Sequence, residues 1–180
     1  MKKFTPYLFV VVVAVIVGGI FYFQPKQTDT AGEEAVSTEY RNEQYAFSFT
    51  HPSEMEVRIR EEANRQTDYL GLPVDFFISL RDVEREAKPL NIAFFYAAPG
   101  LTVDAFKTAL EASDPASVKV TSTEDVEING LKMTKVINTT ALGADKQHYL
   151  FDRNGQTVII SVFLTEEPNF EPVLQSLKAL

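Results

Sequence analysis

The 180-residue chain has no cysteine and no tryptophan, only two histidines, and no run of basic residues. Each shortage removes a class of chemistry. Without cysteine there can be no disulfide, thiolate zinc site, cysteine nucleophile or N-terminal lipid-modified cysteine. The two histidines, His51 and His148, fit no H-x-x-H or H-E-x-x-H spacing, so they suggest no metal pair. Against 17 Lys/Arg stand 25 Asp/Glu, a net charge of −8. An acidic chain without clustered Lys and Arg repels phosphates, which excludes nucleic acid as a partner. The nucleophile elbow G-x-S-x-G, a catalytic S-x-x-K, the dinucleotide fingerprint G-x-G-x-x-G, the phosphate loop G-x-x-x-x-G-K and the calcium loop D-x-D-x-D-G are all absent. No cofactor and no metal is expected. The carboxylates, among them Glu54/Glu56, Glu61/Glu62 and Asp82/Glu84/Glu86, are interspersed with Arg58, Arg60, Arg81 and Arg85, the pattern of a solvated face.

One long apolar run is present. Phe4 to Phe23 carries no charge, and at about 1.5 Å per residue it would span about 30 Å, the hydrocarbon thickness of a bilayer. Tyr7 and Tyr22 stand near its ends, where aromatic rings favour the headgroup level, and Lys2 and Lys3 precede it. The positive-inside rule then puts the N-terminus in the cytoplasm and the rest of the chain outside. A cleaved signal peptide is the competing reading. Gly18-Gly19 is followed by bulky Ile20-Phe21-Tyr22-Phe23 where a peptidase wants small residues, which favours an anchor over residues 1–23 that inserts in the lipid bilayer. Either way the domain is extracytoplasmic. Residues 24–44 are polar and without apolar period, and read as a flexible linker; 45–180 read as the folded domain.

Within that domain two Asn-Gly pairs set the pattern. Asn129-Gly130 and Asn154-Gly155 each separate strand-like runs, and Asn-Gly suits the two positive φ values of a type I′ hairpin turn. A connection around Gly143 joins the hairpins, which predicts four sequential antiparallel strands. Further strands are expected over 45–49, 74–80 and 91–96. Thr102 is the expected cap of a helix with Val103, Phe106, Ala109 and Leu110 on one face. A second helix is expected from Asn169 as cap, with Pro172 in its first turn and Val173, Leu174, Leu177 and Leu180 on one face. Arg58 to Gly71 reads as an exposed loop or short helix. The fold class is α+β, an antiparallel sheet covered by helices.

Tyr45-Ala46-Phe47-Ser48-Phe49-Thr50-His51-Pro52-Ser53, then the helix at Val103, the Ile128-Asn129-Gly130-Leu131 hairpin, Tyr149, Asn154-Gly155 and the closing Phe170…Leu174…Leu177 resemble the PsbP-like family. Members often begin Y-x-F-S-F-x-Y-P-S-x-W; here His51 and Met55 replace the usual Tyr and Trp. The resemblance implies an α-β-α sandwich. It also implies a binding or accessory module with a protein partner in the envelope, since the best-known member is an extrinsic subunit of photosystem II. Two other readings stay open: a structural subunit held through the transmembrane helix, and an extracytoplasmic hydrolase with a carboxylate site.

Single residues add expectations. His148, alternating with Tyr149, is expected to face solvent, and His51 to pack at a strand end. Ser48, Ser53, Ser79 and Ser161 read as outward or edge positions. Asn138-Thr139-Thr140 is a formal glycosylation sequon. The doublets Phe76/Phe77 and Phe94/Phe95 must send one ring to each face of a strand, so one ring of each pair either meets a covering element or marks an exposed partner patch.

Overall fold

The computed structural model describes residues 37–59, 68–83 and 90–180. The expected span over 4–23 lies outside them; among the described residues no helix is long and apolar enough to cross a membrane.

Seven strands form the main sheet: β3 (Met55–Ile59), β6 (Phe76–Asp82), β7 (Leu90–Pro99), β8 (Lys119–Ile128), β9 (Leu131–Thr139), β10 (Lys146–Arg153) and β11 (Gln156–Phe163). Their spatial order is β3-β6-β7-β11-β10-β9-β8, antiparallel throughout. A smaller sheet, ordered β1-β2-β12, joins β1 (Ser37–Asn42), β2 (Phe47–Pro52) and β12 (Lys178–Ala179). β4 (Asp68–Tyr69) and β5 (Leu72–Pro73) make a two-stranded ribbon. The helices are α1 (Val103–Ser113) and α2 (Glu167–Ser176).

The hairpins follow the turn chemistry. Asn129 and Gly130 have φ of 49° and 77°, and Asn154 and Gly155 have 50° and 75°, so each pair has the two positive φ values of a two-residue turn. Ile128 then faces Leu131, and Arg153 faces Gln156. Both turn asparagines also reach backward. Asn129 Nδ2 donates to the carbonyls of Gln175 and Leu177, the latter at 3.1 Å, tying down the end of α2. Asn154 Nδ2 donates to Gln44 O at 3.1 Å, fixing the entry to β2.

Several expectations need correction. β1 occupies 37–42, inside the stretch read as linker, because Tyr40 lays its ring 5.1 Å from Phe49 while its neighbours stay exposed. β3 begins in a segment whose Glu56 and Arg58 mask a strand, since they alternate with Met55 and Val57. Within the loop expected over 58–71, Asp68–Tyr69 pairs with Leu72–Pro73. The C-terminal helix starts earlier than Asn169: a 3₁₀ turn over Leu164–Glu166 runs into it and Pro168 fills its first turn. Asn169 therefore lies within the helix, bonding Glu166 Oε2 at 2.8 Å, and Pro172 lies in the second turn. Leu177 turns extended (ψ 133°), so Leu180 leaves the helix, is exposed, and donates its N–H to Ala46 O.

Alternation along the strands divides the core in two. On one face Phe76, Ile78, Phe95, Ile160 and Phe151 meet Phe47 and Phe49 of β2 and Phe170, Val173 and Leu174 of α2. On the other, Phe77, Tyr96, Val136, Leu150 and Ile159 meet Phe106 and Leu110 of α1 and Leu70 and Leu72 of the β4–β5 ribbon. Each phenylalanine doublet thus serves both cores. Phe77 is buried and Phe94 partly buried, so these rings make no exposed patch.

Candidate functional site: an open cleft beside a closed polar chain

Beneath α1 the sheet holds a constellation of catalytic type. His148 Nδ1 is 2.7 Å from Ser161 Oγ, and its Nε2 is 2.8 Å from Asn138 Oδ1. An amide oxygen only accepts, so Nε2 carries the proton and Nδ1 accepts from the Ser161 hydroxyl. The order serine–histidine–amide is that of an activated nucleophile with an oriented base.

Access decides against that role. His148 is 0% exposed, Ser161 1% and Asn138 2%, and the Phe106 ring stands edge-on to the imidazole at 5.0 Å. Burial, helped by the nearby Lys146 charge, lowers the His148 pKa to about 3, so the ring is neutral at ordinary pH. The expectation of a solvent-facing His148 is therefore wrong, as is the outward reading of Ser161; Ser48 and Ser79 are buried as well. The reason is lateral. β10 has neighbours on both sides and α1 covers this face, so alternation with Tyr149 exchanges one core for the other. Asn138 of the sequon is buried too, with its amide oxygen on the histidine.

α1 covers one half of this face, and at the hairpin end the sheet stays open. There a cleft of about 580 Å³ is lined by Thr102 and Val103 at the start of α1, Asp125, Glu127, Lys132 and Thr134 of the first hairpin, and Leu150, Asp152 and Thr157 of the second. Its hydroxyls are engaged: Thr134 Oγ1 donates to Asp125 Oδ1 (3.1 Å), Thr157 Oγ1 lies 2.8 Å from Leu101 O and 2.9 Å from Asp152 Oδ1, and Thr102 Oγ1 accepts from Ala105 N as the helix cap. The lining thus combines an apolar floor with a rim of three carboxylates and one ammonium, a surface suited to recognition.

The turn residues Asn129, Gly130, Asn154 and Gly155 close the hairpins at this end of the sheet, and their side-chain bonds are structural. His51 is buried at the end of β2, its Nδ1 3.0 Å from Pro52 O. Among the described residues no group of three or more His, Asp and Glu is placed to hold a metal ion. Sequence reasoning missed the Asn138–His148–Ser161 chain although a signal was present. Counting outward from Asn154-Gly155 puts His148 opposite Ser161, and Ser161 lies in an almost wholly apolar strand.

No family model matches the sequence, and no curated protein matches it. Among solved structures, the solution structure of cyanobacterial PsbP (CyanoP) from Synechocystis sp. PCC 6803 is similar, with a TM-score of 0.54 at 10% identity over 81% of this chain and 94% of that one. A protein of unknown function from Pseudomonas aeruginosa, PA94, described as a putative regulator, aligns with a TM-score of 0.32 at 15% identity over 76% of this chain and 89% of that one, too loosely to bear on the fold. The antiparallel sheet with its two helices has the PsbP-like fold.

Proposed function

We propose that the chain is a membrane-anchored, extracytoplasmic binding or accessory module of the PsbP-like type, and not an enzyme. The apolar, lysine-preceded segment Phe4 to Phe23 supports the anchor and its orientation. One observation carries the functional reading: the constellation that resembles catalytic machinery is walled in under Phe106, while the open cleft offers recognition chemistry. A cleft of this size falls within the roughly 300–1,000 Å³ of ligand sites, and its carboxylate rim favours a basic segment of a protein partner.

Site-specific photo-cross-linking of the full-length chain in its own membrane tests this. A probe at Glu127 in the cleft should capture one protein, and a probe at the exposed Leu142, on the connection at the opposite end of β9 and β10, should not. Capture that survives Glu127→Lys but is lost when Gly18-Gly19 are enlarged would favour a structural subunit held through its helix, because small residues permit close helix approach in lipid. Ester hydrolysis abolished by Ser161→Ala would contradict the non-catalytic reading outright.

A further inference from the structure

The main sheet ends in two edge strands that are built differently. β8 presents exposed Glu124, Asp125 and Glu127, and its register breaks between Val120 and Ser122. Charge of one sign and a bulge both oppose the addition of another strand. β3 has neither defence. Its five residues pair with β6 in unbroken register from Met55 to Ile59, and among the described residues β6 is its one neighbour in the sheet.

The sequence of β3 is complementary to itself. Met55-Glu56-Val57-Arg58-Ile59 runs apolar, acid, apolar, base, apolar. Set antiparallel to a second copy with the two-fold axis at Val57, each Glu56 faces the other copy's Arg58, and each Met55 faces the other copy's Ile59. Opposite charges directly across an antiparallel pair stabilise it, and like charges destabilise it. Strand alternation puts Glu56 and Arg58, both exposed, on one face and the three apolar residues on the other.

That apolar face is incomplete in one copy. Ile59 is 61% exposed and Val83 44%. Beside them a groove of about 520 Å³ runs between β3 and β1, lined by Met55, Val57, Val83, Tyr40 and His51. The incoming Ile59, placed opposite Met55 by the register, arrives at this groove.

We propose that β3 is a self-association edge: two copies of the chain join antiparallel through Met55–Ile59, and their two sheets become one continuous sheet across a two-fold axis. The proposal stands apart from the functional reading above, since it uses neither the cleft nor the anchor.

Charge reversal tests it. Sedimentation of the full-length chain in detergent should show a monomer–dimer equilibrium. Glu56→Arg alone, or Arg58→Glu alone, turns both symmetric charge pairs into like-charged ones and should weaken the dimer by about tenfold or more. The double variant Glu56→Arg/Arg58→Glu restores opposite charges and should recover wild-type affinity. Both residues are exposed, so unchanged circular dichroism is expected for all three variants. Val57→Cys gives the chain its one thiol, which a short bismaleimide should link to the same position of a second copy. A wild-type chain that stays monomeric, single reversals that dimerise like wild type, a double variant that stays weak, or a Val57→Cys thiol that links to a different protein would each overturn the proposal.

Discussion

The two faces of the seven-stranded sheet are covered by opposite means, and the one under α1 stays open at its hairpin end. Under β2 and α2 the sealing is aromatic. The Phe95 ring stacks on Phe49 at 4.8 Å and on Phe47 at 6.1 Å, and Phe170 meets it edge-on at 6.2 Å. Under α1 the face carries a hydrogen-bonded chain, Asn138–His148–Ser161, set among apolar side chains. An apolar side chain flipped to the other buried face still meets apolar neighbours, whereas the polar chain loses its partners. A one-residue slip of β10 would move His148 into the aromatic core and break both of its bonds. The aromatic face thus contributes apolar burial, and the polar face adds a requirement for one pairing.

The largest test of that contrast removes a central ring. Phe95→Ala, at a fully buried site against β2 and α2, should lower the unfolding free energy by about 3–5 kcal/mol in urea titration. A loss below about 1.5 kcal/mol would mean the aromatic stack contributes little to stability.

Acid tests the polar face next. The His148 pKa is depressed to about 3 in the folded protein, against about 6.5 in an unfolded chain. The unfolded state therefore binds the extra proton between these values, and stability is full above about pH 6.5 and declines as pH falls toward 3. Between pH 7 and about pH 4 the decline from this residue is roughly 3 kcal/mol. A His148→Leu variant that still folds should lack that part of the decline, whatever its absolute stability.

Removing a partner of the imidazole is milder. Asn138→Ala leaves the Nε2 proton buried without an acceptor and should cost about 2 kcal/mol. Least of all, the aromatic face has a polar residue of its own: neither amide atom of Gln147, on the alternate side of β10, has a hydrogen-bond partner among the described residues. Gln147→Leu should therefore raise stability by about 1 kcal/mol. The two substitutions remove side-chain amides from opposite faces, and opposite signs are the outcome that distinguishes them; equal losses would erase the distinction.

Much of this architecture can be read in the sequence, and the misreadings share a cause. The Asn-Gly turns, the Thr102 cap and the phenylalanine doublets act locally, through φ values, capping bonds and alternation, so composition reveals them. β1 and β3 are edge strands whose exposed residues are polar, and half-exposed edges look like linker or loop until a ring such as Tyr40 is seen to have Phe49 beneath it. His148 looks solvent-facing because an alternating strand is usually wet on one side; only the placement of α1 over that side buries it. The cleft escapes sequence reading for the same reason. Its residues come from two hairpins and a helix start, and the turn register that brings Asp125 beside Thr134 says nothing of where α1 stops.

The most direct test of the account is the imidazole of His148 itself. Nitrogen-detected NMR on a His51→Gln background, which leaves one histidine, reads its tautomer and titration in a single series. A neutral ring protonated at Nε2 is expected, unchanged from pH 8 to about pH 5, with a slowly exchanging proton. A ring that titrates near its ordinary value, about 6.5, would contradict it, because His148 would then be open to solvent and Ser161 would have to be reconsidered as a nucleophile. A proton on Nδ1 would instead overturn the direction of the two bonds, since Ser161 would then accept from the ring and the Asn138 amide would have to donate to it.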